Sequence, residues 1–216
     1  MKLAKETTHM ELKLHIYENI LAYSCHNSNA EALHQVLLAD DSSDTIVALL
    51  SRPTLRFGNY ALSCIQEAAK CGRNTFLSMM LEHLPSDSVL PYLLEPAQGD
   101  GGKTALHMAC DNKWHKFNLV KTIIDGVPKD DQFELIIATD HCGNTVLHSA
   151  VARGDESLVL ALKMHQLTDE QQFTIMEKKN NERLRAIDLA KQQRNQKIEQ
   201  YLDDLLRESN ISKHSK

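Results

Sequence analysis

The chain of 216 residues contains little glycine and proline, with eight and five residues respectively. This content excludes a collagen-like chain and, with 42% hydrophobic residues, a low-complexity or wholly disordered one. An excess of positive charge is also missing, because 24 Lys and Arg stand against 29 Asp and Glu. We therefore expect no nucleic-acid partner. No stretch approaches 18 uninterrupted apolar residues, so no membrane span is predicted.

The five cysteines are an odd number and lack C-x-x-C spacing: Cys25, Cys64, Cys71, Cys110 and Cys142. This pattern argues against a disulfide framework and predicts reduced thiols in a cytoplasmic setting. Residues 1–10 are polar, and the apolar segment of a signal peptide does not follow them. The sequence therefore predicts a soluble protein that, if secreted, leaves its cell without a classical signal peptide.

A repeat with a period of about 41 residues runs through most of the chain. The clearest copies are GKTALHMA, which begins at Gly102, and GNTVLHSA, which begins at Gly143. Three apolar columns keep the same register and predict one structural unit that occurs about four times. The columns contain Ile65, Leu106, Leu147 and Ile187; Ala68, Ala109, Ala150 and Ala190; and Phe76, Phe117, Leu158 and Ile198.

The pattern within each unit predicts two helices joined by a turn and followed by a short third helix. Thr104 and Thr145 are suited to cap the first helix, because a hydroxyl can accept a backbone N–H that has no partner inside the helix. Gly72 and Gly154 are placed where that helix must end, since glycine tolerates a left-handed backbone. The third helix is predicted by apolar segments that follow Pro85, Pro128 and Thr168.

The segments from Thr104 to Ala109 and from Thr145 to Ala150 resemble the T-P-L-H-x-A signature of ankyrin repeats, with Ala105 and Val146 in place of proline. The resemblance covers about residues 60–206 and weakens at both ends, as expected where one face meets solvent. It implies an all-α ankyrin-repeat solenoid of helix–turn–helix units with an extra short helix. Residues 54–206 would form four stacked repeats, residues 1–53 a helical cap or degenerate first repeat, and residues 207–216 a frayed polar tail.

The period is longer than the usual ankyrin period of about 33 residues and falls in the range of HEAT and armadillo repeats. The Thr-x-Leu-His-x-Ala segments favour ankyrin, as do the loops at residues 140–144 and 180–182, which resemble the β-turn finger of that family. The additional residues match the third helix. Elongated repeats of this kind are similar to those of effector proteins from intracellular bacteria, which implies virulence and a role in the host cytoplasm.

The resemblance to ankyrin repeats implies a non-enzymatic scaffold that binds a partner protein. We expect no cofactor and no metal, and we expect a monomer although the sequence does not establish the oligomeric state. We expect contacts at the finger tips, the exposed end of each first helix and the turn that follows it. The expected residues are Tyr60, Lys70, Asp111, Asn112, Trp114, His141, Asn144, Arg153, Gln192 and Arg194. Two alternatives remain open: Trp114 folds back onto the second helix, and the other side chains are only solvated surface. A further possibility is that the chain is only the recognition module of an assembly whose activity lies on another subunit.

An enzyme that depends on a cysteine is the alternative from another class. The pairs Cys25–His26 and His141–Cys142 supply the required atoms, and so does Cys110 near His115. Sequence neighbours on a helix do not face each other, and Cys110 shares a column with Ala69 and Val151, which predicts a buried thiol.

Other chemical sites have weaker support. His107 and His148 occupy equivalent positions in successive repeats, and the family resemblance implies that they bridge backbone groups between repeats. Residues 99–104 lack the first glycine of a phosphate-binding loop, because Ala97 stands there. His141, Cys142 and His148 do not have the spacing of a zinc site.

Overall fold

The structure is a computed structural model that describes residues 55–57, 60–113, 116–163 and 167–214, together with Ile20, Tyr23, Glu31 and Gln35. These four residues of the N-terminal segment are helical. The rest of the predicted cap at residues 1–53 lies outside the described residues, as do Trp114 and His115. In the described ranges, no helix has the length and apolar character that a membrane crossing requires.

The described helices occur in three successive groups of three, followed by a pair. Within each group, two helices form a hairpin and a shorter helix leads to the next group. A two-stranded hairpin precedes the first group. The elements are β1 Leu55–Phe57, β2 Tyr60–Leu62, α1 Cys64–Cys71, α2 Asn74–His83, α3 Ser86–Leu94, α4 Ala105–Asp111, α5 Lys116–Asp125, a 3₁₀ turn Lys129–Asp131, α6 Gln132–Ile137, α7 Val146–Ala152, α8 Glu156–Lys163, α9 Asp169–Glu177, α10 Ala186–Gln192 and α11 Gln196–His214.

The groups stack in one direction. The first helices form a row in which α1 packs on α4, α4 on α7 and α7 on α10. The second helices form a parallel row from α2 through α5 and α8 to α11. The expected all-α solenoid is therefore confirmed, including the third helices α3, α6 and α9.

The hairpin of β1 and β2 is an addition that the repeat pattern did not predict. The strands are antiparallel, with Phe57 paired to Tyr60. Gly58 and Asn59 between them are residue types that favour a two-residue turn, so a local signal existed in the sequence.

Side-chain caps fix where several helices begin. Ser63 Oγ accepts from the backbone N–H of Gln66, and Gln66 Oε1 accepts from the backbone N–H of Ser63 at 3.0 Å. Thr168 and Gln171 form the same reciprocal pair, as the Thr-x-x-Gln pattern predicts. Gly72 and Gly154 have φ of 77° and 67°, so the expected left-handed turns are confirmed.

Two of the three apolar columns form a continuous core between the helix rows. The column from Ile65 to Ile187 is buried throughout, and each alanine of the second column has no exposed surface. An alanine at this position lets neighbouring first helices approach closely, because its side chain ends at Cβ. Burial of successive equivalent residues ties the stability of each unit to that of its neighbours.

The prediction for the third column is wrong at one position. Phe76, Leu158 and Ile198 are buried, but Phe117 is 44% exposed and Leu119 is buried in its place. The reason is turn length: Leu119 lies ten residues after its column alanine, Ala109, whereas the other buried members lie eight residues after theirs. Two additional residues in the turn before α5 shift its apolar face.

The C-terminal segment contains the end of the last helix. Helix α11 continues to His214, so the described part of the expected frayed tail is helical. Residues 207–214 contain neither glycine nor proline, so no residue there terminates the helix.

Leu147→Ala should lower the free energy of unfolding by about 2–5 kcal/mol, because Leu147 is only 5% exposed and its truncation leaves a cavity in the core. Chemical denaturation monitored by circular dichroism measures this change. Leu160→Ala is the matched control: Leu160 is 46% exposed and should cost less than about 0.5 kcal/mol. Equal losses for the two variants would contradict the packing described here.

Candidate protein-binding face

Tight loops precede the first helices α7 and α10, as expected for β-turn fingers. In the first loop, Asp140 Oδ1 accepts from the backbone N–H groups of Cys142 at 2.9 Å and Asn144 at 2.8 Å. In the second loop, Asn180 Oδ1 accepts from those of Glu182 and Leu184, both at 3.0 Å. One polar side chain at the start of each loop therefore organises its backbone.

Successive fingers are joined edge to edge by backbone hydrogen bonds. The N–H of His141 donates to Gly101 O at 2.8 Å, and the N–H of Asn181 donates to Cys142 O at 2.9 Å. The Asn181 side chain also donates to His141 O at 2.9 Å. These bonds align the loops at residues 99–104, 140–144 and 180–185 in one row, which we call the finger row.

Glycine is required where one finger meets the next. A Cβ atom at Gly102 would collide with the His141 ring of the following finger. A Cβ atom at Gly143 would lie 2.9 Å from the backbone nitrogen of Asn181, which is too close for a real contact. Both glycines also have positive φ, so close approach and backbone conformation both favour glycine.

His107 and His148 connect the helices to the finger row. Nε2 of His107 donates to Asn144 O at 2.9 Å, and Nε2 of His148 donates to Leu184 O at 3.0 Å. The backbone N–H of Thr145 donates to Nδ1 of His148 at 3.2 Å, so this ring nitrogen is the acceptor. The bridging role that the ankyrin resemblance implies for these histidines is therefore present.

Burial lowers the pKa of His107 and of His148, while their backbone hydrogen bonds oppose this shift. The neutral imidazole is favoured because only it can accept at Nδ1 and donate at Nε2. A metal or catalytic role would require a free nitrogen lone pair, and here both nitrogens are engaged in structural bonds.

Acidification should destabilise the protein. The folded-state pKa of both histidines lies below the ordinary value of 6.5. Their neutral forms therefore contribute fully above pH 6.5, and this stabilisation is lost as the pH falls from 6.5 toward the folded-state pKa. The free energy of unfolding should fall by up to about 1.4 kcal/mol per pH unit for each histidine.

Denaturant titrations at several pH values between 7.5 and 5 measure this loss. His148→Gln should be less stable than the parent at neutral pH, because the bridge is weakened. It should also lose less stability on acidification, because one titrating group is gone. A parent stability that is constant or increases over this range would contradict the assignment.

A second feature is a set of alternating charges that links three units. Lys70 Nζ lies 2.9 Å from Asp100, Lys103 Nζ lies 2.7 Å from Asp111, and Arg153 Nε lies 3.0 Å from Asp111. Lys103 Nζ is also 3.9 Å from Asp100, so these ion pairs are continuous from Lys70 to Arg153. We call these five residues the charged row.

The charged row affects the protonation of Asp111. Burial alone would raise its pKa, but hydrogen bonds from Lys103 and Arg153 hold the pKa of Asp111 below its ordinary value. Asp111 therefore stays ionised and keeps two cations in fixed positions, Lys103 of its own unit and Arg153 of the next. The row arranges charges along the surface of the first helices.

The structure brings together Lys70, Asp111 and Arg153 of the residues expected to bind a partner. His141, Gln192 and Arg194 are exposed, the first on the finger row and the others near the end of α10. Tyr60 belongs to β2, but its side chain lies outside the described residues. Trp114 lies outside them altogether, so neither alternative for its placement is tested.

Besides the members of the charged row, two more of the expected residues have internal bonding partners. Asn112 is 9% exposed, and its side chain donates to Lys70 O at 2.9 Å, which joins two turns. Asn144 is partly buried, and its side chain accepts from Asn180 at 2.9 Å. Sequence reasoning missed Asp100 and Lys103, which it considered only as parts of a turn or a phosphate loop.

Cys110 and Cys71 lack the features of a nucleophile. Cys110 is fully buried, as expected, and burial raises the pKa of its thiol. Cys71 is exposed, but burial of the thiol and its hydrogen bond to Glu67 raise its pKa to about 12. Cys25 lies outside the described residues. Within the part of the chain that the structure describes, no three His, Cys, Asp or Glu side chains are grouped to hold a metal ion.

Alkylation of the native protein at neutral pH should modify Cys142 faster than Cys64, Cys71 or Cys110. Cys142 is exposed at a finger tip, Cys64 and Cys110 are buried, and the Cys71 thiolate is disfavoured. Peptide mass spectrometry after timed alkylation with iodoacetamide measures the order, with denatured protein as the control. Faster modification of Cys110 than of Cys142 would support a catalytic thiol instead.

Comparison with protein families supports the resemblance. The family described as ankyrin repeats (many copies) matches residues 106–162, which extend from α4 into α8. The comparison with curated proteins finds no match.

Proposed function

We propose that this chain, which is an ankyrin repeat protein, is a non-enzymatic scaffold that binds a partner protein along its finger row and first helices. Ankyrin repeats indicate a protein–protein interaction module. Within this module, the proposal specifies the surface. Four repeats in residues 54–206, with the preceding segment as a cap, would supply that surface.

The observation that carries the proposal is the bonding of one finger to the next. Hydrogen bonds between His141 and Gly101 and between Asn181 and Cys142 give the row a fixed spacing. A surface with fixed spacing loses little conformational freedom on binding, which favours affinity for a partner of matching shape. Exposed side chains such as His141, Arg153 and Gln192 would make the direct contacts.

One apolar cavity in the core is too small to be a reaction site. The apolar cavity lined by Leu147, Leu162 and Ile175 has a volume of about 40 Å³. This space matches one or two water molecules and is small for an organic substrate. A cysteine-dependent hydrolase or transferase is the competing function, and the elevated pKa values of the Cys71 and Cys110 thiols argue against those residues as its nucleophile.

We further propose that the chain is a bacterial effector that acts in the host cytoplasm. This proposal rests on the elongated repeats of about 41 residues, in which the third helices α3, α6 and α9 account for the added length. The partner would then be a host protein, and the chain would work as a soluble monomer.

The experiment compares capture of partners by the parent and by Arg153→Glu combined with Trp114→Ala. Proteins recovered from a eukaryotic host lysate are quantified by mass spectrometry. The amount of specific partner recovered with the variant should be lower by about tenfold or more. The reason is that a charge in the charged row is reversed and the only tryptophan is removed.

Lys121→Glu is the matched control, because Lys121 is exposed on the second helix α5. It should recover the same partner as the parent. Circular dichroism establishes that all three proteins are folded. Equal recovery by the folded double variant and the parent would remove this surface from consideration.

A further inference from the structure

The last described unit carries basic residues at positions where the earlier units contact their successors. Gly102 and Gly143 face the next finger, and Arg183 stands at the equivalent position in the finger before α10. The structure describes no finger beyond this one, and Arg183 is exposed. An arginine therefore occupies the position at which a Cβ atom would collide with a following unit.

The turn after α10 repeats this change. Gly72 and Gly154 end α1 and α7, and a Cβ atom at Gly72 would lie 3.0 Å from Asn112 of the next turn. Arg194 stands at the equivalent position and is exposed. Lys191 continues the column of Ala69, Cys110 and Val151 and is exposed, although each of those three is fully buried. We call Arg183, Lys191 and Arg194 the basic end face.

The backbone makes arginine an unexpected choice at two of these positions. Arg183 has φ of 62° and Arg194 has φ of 58°, and within the described ranges they are the two residues other than glycine with positive φ. Side chains disfavour this conformation, whereas glycine adopts it freely. A strained backbone at an exposed residue is a reason to look for a function of its side chain.

The charges of these two arginines are not neutralised in the way that those of the charged row are. Lys70, Lys103 and Arg153 each lie within 3.0 Å of a carboxylate oxygen. Among the described residues, Arg183 and Arg194 form no ion pair. The charge of Lys191 contributes to the lowered pKa of Asp188. Residues 178–197 contain seven Lys and Arg but two Asp and Glu, in a chain with a net charge of −5.

We propose that the basic end face binds an acidic segment of a protein partner. The proposal rests on the protein-binding function proposed above and names the chemistry of one part of the surface. A carboxylate-rich segment matches the unneutralised arginines, and arginine can hold a carboxylate with two parallel hydrogen bonds. The acidic remainder of the chain disfavours a long polyanion such as nucleic acid, which would also approach negative surface.

A cap that only keeps the end of the stack soluble would not need these arginines. Glycine at both positions would remove the backbone strain and still leave polar peptide groups in solvent. Replacement of Arg183 and Arg194 by glycine therefore separates the two roles. A solubility cap predicts no change in binding, whereas a docking face predicts loss of binding without loss of stability.

The test measures fluorescence anisotropy of fluorescein-labelled decaglutamate with the full chain at about 50 mM salt. Arg183→Gly combined with Arg194→Gly should bind about tenfold more weakly than the parent, since two exposed charge pairs are lost. Its thermal midpoint should be no lower than that of the parent. Arg183→Lys combined with Arg194→Lys should bind within about threefold of the parent, because it keeps both charges.

Lys121→Gln combined with Lys129→Gln is the matched control, because it removes two exposed charges elsewhere and should leave the affinity unchanged. Equal binding by the parent and the glycine variant would overturn the proposal. Tighter binding of single-stranded decathymidylate through the same arginines would also overturn it, in favour of nucleic acid. If the decaglutamate test fails, the proposed protein-binding function is still tested independently by partner capture with the Arg153 and Trp114 variant.

Discussion

The bridge from a buried imidazole to the next finger is the interaction on which the rest of the structure depends. His107 and His148 each lie beside the threonine before their helix and donate to a carbonyl oxygen of the following unit. One side chain thus satisfies polar groups in two units. A finger without this donor would leave a partly buried carbonyl without its partner, which costs stability. The bridge explains why Thr and His recur together.

The same bridges prepare the surface that we propose for binding. They hold the fingers at residues 140–144 and 180–185 against the first helix of the preceding unit, and backbone hydrogen bonds hold the fingers to one another. Residues that would contact a partner are therefore mounted on a framework whose polar groups are already bonded. At the last described unit no following finger occupies this position, and arginines stand where the earlier units have glycine. The basic end face follows from the geometry that produces the finger row.

Periodicity predicted the helices, the third helix of each unit and most of the core, because each unit repeats the same local pattern. It failed at Phe117, since a fixed period does not register two extra residues in one turn. It also missed the bonds of Lys103 to Asp111 and of Arg153 to Asp111. The first pair depends on how a finger lies against the end of its own first helix, and the second on how separate units are placed relative to each other. Local patterns carry no direct information about such distances, and for the same reason Asn112 was expected on the surface although it is buried between turns.

Hydrogen exchange at the finger tips tests the central claim most directly, and nuclear magnetic resonance can measure it residue by residue. The amides of His141 and Asn181 belong to exposed residues, yet both donate to the neighbouring finger. The account predicts that they exchange far more slowly than amides of an unstructured peptide and that His148→Gln accelerates the exchange of Asn181. Exchange of both amides at the rate of an unstructured peptide would contradict a continuous, fixed finger row.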